Sequence, residues 1–204
     1  MMENIEKIHN IINKAGGTAR TADFNAAGYA NYQVSDMRRS GLIVRVRKGY
    51  YTLPQPEQQG QREEEIIAQL YPDGIVCLDS ALFHYGYSDK TPLEWHLAFP
   101  RTVTRTRFDI DYPAIRWYMV KHELFELGKS VGDWNGVMLS IYDRERTICE
   151  CFKRRSQMDS EIFAKAVTAY AADDKKNLMR LSQYAKKLRV YTKVTEIMEV
   201  LLNG

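Results

Sequence analysis

The sequence predicts an α+β chain in two parts, an N-terminal winged helix-turn-helix followed by a larger α+β domain with a C-terminal helical block. Three observations carry this. Residues 1–53 read as three short helices with glycine stops and then a hairpin. The Pro/Gln/Gly-rich stretch PQPEQQGQ, residues 54–61, reads as a linker. Beyond it, over residues 62–204, strand-like runs give way to helical periodicity from Asp143 to Leu202.

In the first part, Ile5, Ile8, Ile11 and Ile12 recur at helical spacing between Glu3 and Ala15, and Gly16-Gly17 stops that helix. A second helix fits Thr21 to Ala27, with Thr21 as its cap, Asp23 in its first turn, Phe24 inward and Gly28 at its end. A third runs from Asn31, a good cap, to Ser40, with Gly41 as the stop. Val34 and Met37 share its inner face. The opposite face presents Tyr32, Ser35, Asp36 and Arg39, with Gln33 and Arg38 at its margins. Arg can bind guanine and Gln adenine bidentately, so this face is chemically equipped to read a major groove.

In the hairpin LIVRVRKGYYTL, Leu42, Val44 and Val46 are expected inward and Arg45 and Arg47 outward, around a Lys48-Gly49 turn, with Tyr50 or Tyr51 completing the core beneath. A solvated hairpin needs one apolar face but not a uniformly positive other one. Charge explains the second face: residues 1–53 hold eight Lys/Arg against four Asp/Glu, whereas residues 54–204 hold 21 against 22. A basic module joined to a nearly neutral one points to an anionic partner for the first, and the order of elements points to duplex DNA. Arg20, Thr21, Arg38, Arg45, Arg47 and Lys48 are the expected phosphate contacts, and Tyr32, Gln33, Ser35, Asp36 and Arg39 the expected reading face.

In the second part, REEEIIAQLYPDG reads as a helix entered through acids, and IVCLDSALFHYGY as a short buried strand and a helix, with Asp79-Ser80 a helix cap. EWHLAFP, the region around FDIDY, IRWYMVK and VMLSIY read as strands, the last entered through the turn Asn135-Gly136. Four helical segments follow. Asp143, Glu145, Arg146 and Thr147 look like a capped helix start; the alternative is a basic ridge of Arg146, Lys153, Arg154 and Arg155. Trp95, Trp117 and Trp134 are expected in the core.

Other functions are disfavoured by what the chain lacks. No apolar run approaches the ~20 residues of a membrane span, and the N-terminus does not resemble a signal peptide, so a cytoplasmic protein without a membrane partner is expected. Cys77, Cys149 and Cys151 read as reduced, buried thiols, and the four scattered histidines show no zinc spacing. Asp73, Asp79, Glu94, Asp109 and Asp111 lie around predicted strands, but Glu94 is followed by Trp95-His96, so the E-x-K element of a winged-helix-fused nuclease is missing. Phosphate-cradling loops and nucleophile elbows are absent too. The expectation is no catalytic residue, cofactor or metal.

The run GGTARTADFNAAGYANYQVSDMRRSGLIVRVRKGYYTLP resembles the N-terminal winged-helix domain of AbiEi-type antitoxins, the regulatory halves of abortive-infection toxin-antitoxin operons, with Arg20, Thr21, Phe24, Gly28, Arg38, Arg39, Gly41, Leu42, Arg45, Lys48, Gly49 and Tyr51 at matching positions. More weakly, LDSALFHYG resembles the family's Ser-Ala-Leu-x-x-x-Gly segment, and SIYDRERTICECF its strand followed by Pro-Glu-Arg-Thr-apolar-x-Asp, with Arg144 where proline is common and Glu150 near the usual acid. The resemblance implies a transcriptional regulator that represses its own operon and a C-terminal domain that neutralises, directly or indirectly, a nucleotidyltransferase-like toxin. One reading helix covers few base pairs, so two copies on repeated half-sites upstream of the operon are expected. A stand-alone winged-helix regulator without an antitoxin role is the alternative.

Overall fold

A computed structural model describes residues 2–54, 62–108, 110 and 112–203. The chain forms two compact units, Met1–Tyr71 with Val103–Ile115 and Pro72–Thr102 with Arg116–Gly204. This division does not follow the expected break at 54–61, most of which lies outside the described residues. Residues 62–71 and 103–115, both expected in the larger domain, group with the N-terminal part. The reason is a local set of polar and aromatic contacts. The Leu70 carbonyl accepts from Arg47 (3.5 Å) and Arg107 (3.1 Å), and the Tyr71 ring stacks on Phe108 at 6.2 Å.

The first unit contains α1 (Met2–Lys14), β1 (Ala19–Arg20), α2 (Thr21–Ala26), α3 (Asn31–Arg39), β2 (Val44–Arg47), β3 (Tyr50–Thr52) and α4 (Glu63–Leu70). Its core joins Ile8 and Ile12 of α1 to Phe24, Val34, Met37, Ile43 and Leu53, as the helical spacing of the isoleucines requires. Tyr51 packs edge-on against Phe24 at 6.0 Å, so Tyr51 is the tyrosine that completes this core. The strands form an antiparallel sheet in the order β1-β3-β2. β1, too short to show a periodicity, is not legible in the sequence.

Three local expectations are corrected. Arg20, not Thr21, precedes α2 as its cap residue, and its N–H donates to the Asp23 carboxylate at 2.6 Å. Ala30, not Asn31, caps α3 in the same way, donating to Gln33 Oε1 at 2.8 Å, while Asn31 accepts from Asn25 at 3.1 Å. In the hairpin, Ile43 and Val46 are the buried side chains rather than Leu42, Val44 and Val46. The ladder shifts register between Arg45 and Arg47, which oppose adjacent Tyr51 and Tyr50, and such a bulge breaks strict alternation.

The second unit is built on β4 (Ile75–Val76), β5 (Trp95–Pro100), β6 (Ile115–Val120), β7 (Lys129–Trp134) and β8 (Val137–Tyr142), in the order β6-β5-β4-β8-β7. β4 runs parallel to β8 and antiparallel to β5. β7 and β8 form a hairpin whose turn holds Asn135 and Gly136 at φ 53° and 89°, the left-handed geometry an Asn-Gly turn supplies. The helices are α5 (Leu78–His84), α6 (His122–Phe125), α7 (Arg144–Lys153), α8 (Ser160–Ala172), α9 (Leu178–Leu188) and α10 (Tyr191–Asn203). Ile148, Cys149, Cys151 and Phe152 of α7 anchor the main core against α8, α9 and α10. The architecture is α+β, with the helical block at the C-terminal end.

Here too some expectations change. A 3-10 turn over Arg105–Phe108 stands where the strand around FDIDY was expected, and Asp109 and Asp111 lie outside the described residues. Cys77 occupies the cap position of α5, and Ser80 instead accepts from the His96 N–H at 2.9 Å. The tryptophans are half-buried rather than core; Trp134 stacks on His84 at 4.1 Å. All three cysteines are buried thiols, and burial pushes Cys149 up to about 12.

Candidate nucleic-acid interface

α3 presents one side to the core and the other to solvent. Val34 and Met37 are buried, while Tyr32, Ser35, Asp36 and Arg39 are exposed, Tyr32 at 68%. The inward and outward faces are those the sequence predicts. Arg39 pairs with Asp36 at 3.4 Å, both side chains being largely in solvent, so the pair adds little stability and can open. Gln33 is half-buried and its oxygen is committed to the Ala30 N–H, which leaves its amide nitrogen as donor. Arg38 is half-buried, consistent with a place at the margin of the face.

The start of α2 and the tip of the wing are tied together. The Thr21 N–H donates to the Gly49 carbonyl at 2.9 Å, and the Thr21 hydroxyl approaches the same oxygen at 3.4 Å. The N–H of Thr21 is therefore spent inside the protein rather than offered outward. Gly49 adopts φ 79°, a left-handed conformation that glycine enters without steric cost.

Tyr50 organises the charge on the wing. It stands opposite Arg20 of β1 and Arg47 of β2, and both guanidinium groups lie over its ring, at 5.5 and 3.9 Å from the centroid. Cross-strand neighbours share one face, so three strands converge on one cation–π cluster. Arg20 and Lys48 are exposed, whereas Arg45 and Arg47 are half-buried, Arg47 through its bond to the Leu70 carbonyl. The expectation of a uniformly outward basic row is corrected accordingly. Sequence reading missed the role of Tyr50 because the pairing of Arg20 with Tyr50 depends on β1.

Arg146 does not belong to an exposed basic ridge of the kind considered from the sequence. Arg146 is buried, 1% exposed, and its guanidinium donates to Glu150 Oε1 (3.0 Å) and to the carbonyls of Leu124 (2.9 Å) and Leu127 (3.3 Å). Asp143 caps α7 by accepting from the Arg146 N–H at 2.8 Å, and its other oxygen accepts from Tyr184 at 3.2 Å. Buried Glu145 accepts from Tyr170 (3.2 Å) and from the Asn177 N–H (2.8 Å). This stretch is a structural knot that holds α7 to α8 and α9. Among the described residues no group of three or more His, Cys, Asp or Glu side chains is placed to hold a metal ion. No helix among them is long and apolar enough to cross a membrane.

Residues 8–54 match a protein-family model described as "Transcriptional regulator, AbiEi antitoxin". The match runs from the middle of α1 through β3, the elements that build the α3 face and the wing. A solved structure titled "Crystal structure of RV2827C protein from Mycobacterium tuberculosis" superposes with a TM-score of 0.65 at 14% sequence identity, covering 96% of this chain and 74% of that one. At that identity the likeness concerns the fold. No curated protein matches the sequence.

Proposed function

We propose that the protein is a DNA-binding transcriptional regulator with an antitoxin role, in which α3 enters the major groove and the wing contacts phosphate. One observation carries the reading: an exposed polar face on α3 stands in the same small unit as a wing whose arginines are ordered on Tyr50, within the segment that matches the regulator family. Tyr32, Ser35 and Arg39 supply aromatic, hydroxyl and guanidinium groups for base edges. Arg20, Lys48 and the edges of Arg45 and Arg47 supply sequence-independent affinity. The regulator acts at repeated half-sites upstream of its own operon. The second unit carries the antitoxin role, opposing a nucleotidyltransferase-like toxin encoded beside it, directly or indirectly, and the chain has no catalytic role of its own.

Co-expression with the neighbouring toxin, together with footprinting of the upstream DNA, tests this. The full chain should protect a repeated element and restore growth. A full-length Arg20→Glu, Lys48→Glu variant should lose the footprint yet still restore growth when expressed from an unrelated promoter. Loss of rescue along with DNA binding would mean that protection comes from repression, and absence of a protected repeat would remove autoregulation.

A further inference from the structure

The second unit carries a cavity of about 640 Å³, open to solvent, where β5 and β6, α7 and α9 end and α10 begins. Its lining holds eight Lys/Arg and two Glu, in a part of the chain that is otherwise close to neutral. Glu150 is held by Arg146, and Glu123 lies 3.8 Å from Lys121. That leaves Arg101, Lys153, Arg154, Lys187, Arg189 and Lys193, and among the described residues none of these six forms an ion pair.

Helix ends do not account for this charge. Two C-termini, those of α7 and α9, contribute together about one negative charge, and the N-terminus of α10 cancels roughly half of it. Arg154 lies over the Tyr118 ring at 4.3 Å and donates to Gln157 at 3.2 Å, but the other five cations still far exceed that charge. Two of them also occupy positions that local physics disfavours. Arg189 caps α9 in the left-handed region at φ 61°, where glycine or asparagine is the favoured residue. Lys193 sits in the first turn of α10, where the helix dipole opposes a cation. Partial burial, with Arg146 beside it, lowers the Lys153 ammonium below the usual lysine range.

We infer that the cavity binds a nucleotide, with its phosphates held by Arg101, Lys187, Arg189 and Lys193 and its base against the apolar part of the lining. The volume lies in the range of small-molecule sites. A polyphosphate answers the unpaired cations. Met119, Val120 and Leu188 provide apolar surface for the base.

Calorimetric titration of the full chain with the four ribonucleoside triphosphates, inorganic triphosphate and a short single-stranded RNA tests the assignment. At least one nucleoside triphosphate should bind, roughly tenfold or more tighter than triphosphate alone, through apolar contact of its base. Arg189→Gly should weaken it by roughly tenfold or more while leaving the melting temperature unchanged or raised, since glycine suits the backbone there. Lys187→Ala with Lys193→Ala should weaken it further. DNA binding should persist in all these variants. The assignment is overturned if no nucleotide binds, if Arg189→Gly binds as the parent does, if triphosphate matches every nucleotide, or if RNA alone binds.

Discussion

Arg146 shows how a residue that looks like a surface cation can be a core element. Its guanidinium is closed in by Glu150, two carbonyls and the Tyr142 ring, over which it lies at 4.3 Å. Removing one partner of a buried pair strands the other charge. Arg146→Ala should therefore cost about 3–5 kcal/mol in chemical denaturation. Arg146→Met combined with Glu150→Leu should recover a large part of that, because the stranded carboxylate goes too. His96 gives a residue-level pH prediction. Asp79 and Glu94 lie 3.9 and 4.0 Å from its Nε2 and would favour a charged ring, but burial, then Arg116 and Arg154, outweigh them and lower it to about 4. The unfolded chain takes up this proton near the ordinary value of 6.5. The neutral ring thus contributes stability above that pH, and the contribution is lost as pH falls from about 6.5 to about 4. The full effect is on the order of 3 kcal/mol. Denaturation midpoints across that window should fall with acid, and a His96→Gln variant should show a flatter profile.

At the scale of elements, α3 and the wing should fail differently. Arg20→Glu with Lys48→Glu should weaken every duplex alike and lower the salt slope by about two, as two phosphate contacts are lost. Ser35→Ala or Arg39→Ala should instead alter preference across a randomised duplex library, with each lost base contact costing about 1–3 kcal/mol. Tyr50→Ala should behave like the wing variants although it carries no charge, because Arg20 and Arg47 lose the ring that orders them. An unchanged affinity for Tyr50→Ala would show that the cluster serves stability alone. The exposed face of α3 was legible because helical periodicity fixes which side chains share a side, and Val34 and Met37 identify the inner one. The wing was only half legible. Alternation assumes an unbroken ladder, and neither the bulge at Arg45/Arg47 nor the pairing of Arg20 with Tyr50 leaves a trace in local composition. The knot at the start of α7 was legible as a cap through Asp143, but the burial of Arg146 and Glu150 was not, since charged residues in a helix ordinarily read as solvated.

At the scale of the molecule, the boundary between units is where sequence reading diverged most. Pro, Gln and Gly mark a composition break at 54–61, but contacts made far along the chain decide what packs with what. Phe108 and Arg107 reach Tyr71 and Leu70, so the segment 103–115 belongs with α4 although both its flanks belong to the second unit's sheet. A fragment beginning at residue 62 keeps those contacts and one beginning at residue 72 loses them. The first should melt at the higher temperature, by several degrees if about 1–2 kcal/mol is involved, and equal melting temperatures would show that these contacts contribute nothing.

The same interleaving bears on how the chain is made. The first unit lacks Arg107 and Phe108 until residue 108 has left the ribosome, well after Tyr71 has emerged. At the usual pace of synthesis that interval is about 2–7 s. Throughout it, the Leu70 carbonyl lacks its shorter bond, the one from Arg107, and the Tyr71 ring lacks its stacking on Phe108, so the nascent chain passes through a stage in which α1 to α4 are already translated but their unit is still open.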